Sequence, residues 1–74
     1  MKNLKLIRVI NDYTQLKVQM ETGISQSTLS KYEKGEQSPT SENLIILAKF
    51  YNTSVDFLLD LTDEKNPYPK KGKK

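Results

Sequence analysis

Neither cysteine nor histidine occurs among the 74 residues, which removes thiol and imidazole nucleophiles and the usual zinc ligand sets. The side chains left with chemistry to offer are amides, hydroxyls, lysines and carboxylates. They gather between Thr14 and Gly35, in Gln15, Lys17, Gln26, Ser27, Thr28, Ser30, Lys31, Glu33 and Lys34. No glycine-rich phosphate loop accompanies them, and no carboxylate pair is placed for acid–base work, so no enzyme, cofactor or metal is expected. These residue types suit recognition instead. An amide can pair bidentately with a base edge, while hydroxyls and lysines donate to phosphate oxygens.

Elements that could position such groups follow from period and punctuation. Every plausible segment repeats at helical spacing, and none alternates as a strand would. A first helix spans about Lys2 to Asn11, with Leu4, Ile7 and Ile10 expected inward and Leu6 and Val9 outward. Asp12 ends it at a position that tolerates a left-handed turn. Thr14 caps a second helix over Gln15 to Thr22, with Val18 inward and Gly23 as its stop. Ser25 caps a third from Gln26 to Lys34, with Leu29 and Tyr32 inward and Gly35 as its stop. Thr40 caps a fourth helix, whose Leu44, Leu47 and Ala48 form the buried stripe and whose C-cap is Asn52. Ser54 caps a short fifth, with Val55, Leu58 and Leu59 facing in. Five short helices in about sixty residues predict an all-α bundle with non-parallel packing.

The second and third helices, joined at Gly23, have the spacing of a helix-turn-helix, whose second helix enters the major groove. Because Leu29 and Tyr32 fix its inward side, Gln26, Ser27 and Lys31 share the outward one. N-terminal residues of a docked recognition helix reach base edges, so these three are the candidate base contacts. Thr28 and Ser30 are shorter and suit phosphate or a thymine methyl. Gln15 and Lys17 lie in the first turn of the second helix, where free N–H groups favour an anion. Lys17 occupies the place where a capping box has Glu or Gln, so it either meets a phosphate or extends into water. Lys34 sits beside the Gly35 turn and is a second candidate phosphate contact.

Thr14-Gln15, Thr22-Gly23-Ile24-Ser25, Leu29-Ser30-Lys31-Tyr32-Glu33-Lys34-Gly35, and Pro39 followed by Leu44 and Leu47-Ala48 resemble the Cro and phage-repressor (XRE-type) helix-turn-helix family. The resemblance runs from about Leu4 to Leu59. It implies a compact five-helix, lambda-repressor-like domain over residues 1–61 that binds double-stranded DNA and regulates transcription, as a repressor or Cro-like switch. It also implies a phosphate contact at Gln15 and a structural salt bridge between Arg8 and Glu33. Three positions depart from the family pattern. Gln19 stands where a small alanine is usual, Thr53 replaces an aliphatic residue, and Asp12 replaces a glycine.

Reading paired half-sites demands a two-fold homodimer, and Phe57, Leu58 and Leu61 are the expected dimer contacts. The net charge of +3 lies outside this domain. Lys2, Lys5, Arg8, Lys17, Lys31, Lys34 and Lys49 are balanced by Asp12, Glu21, Glu33, Glu36, Glu42, Asp56 and Asp60. The excess belongs to residues 62–74, where Lys65, Lys70, Lys71, Lys73 and Lys74 outnumber Asp63 and Glu64; this stretch is expected to be a mobile basic tail. The longest apolar run, Leu44 to Ala48, is too short to cross a membrane, and a cytoplasmic location is expected. An antitoxin-type autoregulator, or an interaction module that kept the fold without DNA binding, would share most of these features.

Overall fold

The computed structural model describes residues 1–67; the expected tail residues Tyr68 to Lys74 lie outside them. Helices α1 (Lys2–Ile10), α2 (Gln15–Thr22), α3 (Gln26–Lys34), α4 (Ser41–Tyr51) and α5 (Val55–Leu58) follow one another, and no strand occurs among the described residues. Local chemistry sets most of the boundaries. Thr14, Ser25, Thr40 and Ser54 each accept the N–H three residues on, from Lys17, Thr28, Asn43 and Phe57. Gly23, Gly35 and Asn52 close α2, α3 and α4 in the left-handed region. Asp12 also has positive φ, at 63°, so it performs the turn for which the family uses glycine.

The start of α1 is built differently. No side chain near Met1 caps it. Its first N–H groups, from Lys2 and Asn3, instead donate to the two carboxylate oxygens of Asp60 at 3.1 and 2.8 Å. Asn3 is buried, and its amide donates to the Phe57 and Thr62 carbonyls at 2.9 and 3.2 Å. The two ends of the domain are thus joined by a carboxylate cap and a buried amide.

Helix α1 packs on α3 and α5, α2 packs on α3 and α4, and α4 packs on α5. Between them lies one core of Leu4, Ile7, Val18, Ile24, Leu29, Tyr32, Leu47, Tyr51, Phe57 and Leu58. Burial pushes the Tyr51 hydroxyl well above its ordinary pKa, with the Glu33 carboxylate adding to the effect. Several expectations need correction. Ile10 is exposed, because each step of three residues falls about 60° short of a full helical turn. Leu59 is exposed as well, since α5 ends at Leu58. Leu44 and Ala48 are only half-buried, and Leu47 and Tyr51 carry the inward side of α4. Phe57 and Leu58, expected at a dimer surface, are 2% and 0% exposed and belong to the core. Leu61, at 70% exposure, is the one of those three that stays accessible.

Past Leu61 the chain stays attached through Thr62, as above, and through Lys65, whose carbonyl accepts the Thr53 hydroxyl. That bond explains how a threonine is tolerated at a buried position where the family has an aliphatic residue: the hydroxyl is satisfied. The expected boundary after residue 61 therefore falls before the last residues bonded to the domain.

A bidentate ion pair ties α3 to α1. Arg8 Nε and Nη2 donate to Glu33 Oε2 and Oε1 at 2.7 and 3.0 Å, and Nη1 donates to the Tyr13 carbonyl at 2.9 Å. The hydrogen bond that Arg8 donates to Glu33 raises the Arg8 pKa further, against the opposing effect of burial. With the two side chains only 14% and 5% exposed, losing one partner strands a charge. Glu33→Ala should lower unfolding free energy by about 3 kcal/mol in urea titration, and Arg8→Met with Glu33→Leu should cost less than either change alone. Asn3→Ala, which leaves two carbonyls without their donor, should cost about 2 kcal/mol in the same assay.

Candidate nucleic-acid interface

The presented face of α3 is a by-product of its burial. Leu29 and Tyr32 are 2% and 1% exposed and anchor the helix, and the Tyr32 hydroxyl accepts from the Asn43 amide on α4 at 2.9 Å. Apart from Glu33, whose side chain turns to Arg8, the remaining side chains lie toward solvent. Gln26, Ser27, Lys31 and Lys34 are exposed, and Thr28 and Ser30 are half-buried. At the N-terminus of α3, Ser25 Oγ accepts the Thr28 N–H at 3.2 Å and donates to Thr28 Oγ1 at 2.8 Å. The Thr28 hydroxyl keeps its own proton for another acceptor.

The residues expected at phosphate sit in two arrangements. Gln15 is half-buried, and its amide donates to Glu33 Oε1 at 3.1 Å. Arg8, Glu33 and Gln15 therefore form one network through which α1, α2 and α3 meet. Around it Lys5, Arg8, Gln15, Ser30, Glu33 and Lys34 line a shallow notch, in which three cations face one carboxylate that is already paired. Lys5, on α1, was not among the sequence candidates; its only signal is a lysine one turn before Arg8. Lys17 lies elsewhere. Its ammonium is 3.4 Å from Glu21 and 5.7 Å from the centre of the Tyr13 ring, so it neither extends freely into water nor joins the notch. Both partners are half exposed, and a pair of that kind contributes little and exchanges readily.

Sequence reasoning also missed the role of Gln19. Its side-chain oxygen accepts the backbone N–H of Gln26 at 2.6 Å. The departure from a small residue at this position was the visible signal. The side chain that replaces the usual alanine makes a bond between the two helices of the motif. Among the described residues no cluster suited to a metal ion occurs, and no helix is long and apolar enough to cross a membrane.

Comparison with known proteins agrees with this geometry. The family model described as "Helix-turn-helix" matches residues 4–58. The uncharacterized HTH-type transcriptional regulator YobD of Bacillus subtilis is 33% identical over 66 residues, covering 89% of this chain and 59% of that protein. Antitoxin PezA of Streptococcus pneumoniae is 40% identical over 53 residues, 72% of this chain and 34% of that protein. The cryptic phage CTXphi transcriptional repressor RstR of Vibrio cholerae is 41% identical over 49 residues, 66% of this chain and 44% of that protein. The chain thus spans between about a third and three-fifths of the length of these relatives. No solved structure matches it significantly. With more than half of its length matched, the chain belongs to the XRE-type helix-turn-helix family of DNA-binding transcriptional regulators.

Proposed function

We propose that the protein is a sequence-specific repressor or Cro-like switch that inserts α3 into the major groove of an operator and excludes a competing protein there. The observation that carries this reading is the outward row of Gln26, Ser27 and Lys31 on a helix held by two buried anchors. Gln26 suits bidentate pairing with adenine, and Lys31 donation to the guanine acceptors. Ser27 can serve either base, because its hydroxyl both donates and accepts. Backbone contacts come from the notch, where Gln15, Ser30, Lys34 and Lys5 surround a net positive floor, and from Thr28 at the start of α3. Lys17 adds a phosphate contact once it exchanges Glu21 for the stronger anion. Two copies bind a palindromic site as a homodimer in the cytoplasm, with exposed Leu61 in the contact between them.

The likeness to an antitoxin supports a second reading, in which the same domain regulates its own synthesis and also engages a partner protein. DNA binding is common to both; a protein partner belongs only to the second.

Titration with salt tests the reading. Binding to a selected duplex and to a scrambled one should both fall steeply on a log–log plot, the selected site being about 10³-fold tighter. Lys34→Gln and Lys5→Gln should each weaken binding to both duplexes alike and flatten the slope by about one. Absence of binding at low salt would favour an interaction module that lost its DNA.

A further inference from the structure

Gln19 touches both ends of the turn between α2 and α3. Its backbone carbonyl accepts the Gly23 N–H at 2.8 Å and closes α2. Its side-chain oxygen accepts the Gln26 N–H at 2.6 Å, at the first residue of α3. One residue therefore fixes the end of one helix and the beginning of the next.

The first N–H groups of any helix lack partners within it. In α3, Ser25 satisfies that of Thr28, and water could satisfy that of Gln26 in the free protein. Docking into a groove strips water from this end of the helix, because its N-terminal residues meet the bases. An N–H left without a partner there is costly, and the helix would shift to find one. Gln19 removes that cost from within the protein.

We propose that Gln19 is a positioning residue for base readout, holding the first turn of α3 at a fixed offset from α2. The inference rests on reading α3 as the recognition helix. Phosphate contacts through Gln15 register the domain on the DNA backbone from α2, and base contacts through Gln26 and Ser27 are made from α3. The Gln19 bond sets the distance between the two sets. A bidentate amide–base pair needs both of its hydrogen bonds near ideal geometry, so it is sensitive to that offset. Contacts of lysine with phosphate are not.

Two substitutions separate this role from packing and from direct DNA contact. Gln19→Met keeps the length of the stem and removes the acceptor, whereas Gln19→Glu keeps an acceptor oxygen and removes the amide donor. Each is compared with the unaltered chain by fluorescence anisotropy on a pool-selected duplex and on a scrambled one, alongside thermal unfolding. Gln19→Met should lower the ratio of the two affinities about tenfold while the salt slope on scrambled DNA stays the same. Gln19→Glu should keep the ratio, since its added charge weakens binding to both duplexes alike. If Gln19→Met does not fold, Gln19→Ala carries the same expectation.

An unchanged ratio in the Met or Ala variant overturns the proposal and leaves the recognition-helix reading standing. An equal loss in the Glu variant assigns the effect to the amide donor and also overturns it. An unaltered chain that prefers no duplex over another removes the reading and this inference together.

Discussion

The ion pair between Arg8 and Glu33 holds α3 in the domain. Leu29 and Tyr32 are the apolar anchors among the nine residues of α3, a small anchorage for a helix of that length. Glu33 gives α3 a third, directional attachment. Its carboxylate receives two bonds from Arg8 on α1 and one from Gln15 on α2. Three helices are thereby locked through one side chain, and the arginine also reaches the Tyr13 carbonyl in the link between α1 and α2. The pair owes its value to geometry more than to charge, since a buried ion pair gains little net stability over apolar packing of equal shape.

The same network governs the electrostatics of the proposed interface. Glu33 lies within a notch otherwise lined by Lys5, Arg8 and Lys34, where an unpaired carboxylate would repel a phosphate. Its bidentate bonding to Arg8 neutralises it, so the two exposed lysines set the local sign. This matters in a domain whose first sixty residues carry no net charge. On the proposed reading, attraction to DNA comes from placement, with Lys5 and Lys34 at the notch and with the N–H groups of α2 that Thr14 does not use.

Much of this was legible in the sequence because it is local. Ser or Thr followed by an N–H three residues on, and Gly or Asn after the last turn, mark the ends of α2, α3 and α4 without any knowledge of the fold. Leu29 and Tyr32 fix the outward face of α3 by spacing alone. What was not legible is non-local or lies at the limit of a periodic argument. The Asp60 cap on α1 joins residues nearly the whole domain apart, and nothing near Met1 signals it. Ile10 misleads because helical drift accumulates over two steps, and Leu59 because the fifth helix is only four residues long. Phe57 and Leu58 look free for a partner until the fold places α5 against α1 and α4. Gln19 and Thr53 read as imperfections, yet each proves to be a polar group with a specific partner.

On the proposed reading, the outward face of α3 chooses the sequence. Selection of bound duplexes from a random pool, run in parallel with the unaltered chain and with Gln26→Ala combined with Ser27→Ala, tests it most directly. The unaltered chain should enrich a palindromic motif with half-sites about one helical turn apart. The double variant should lose preference at the positions in each half-site that the start of α3 faces, while keeping the spacing. An identical motif from both proteins would contradict the assignment of base readout to α3.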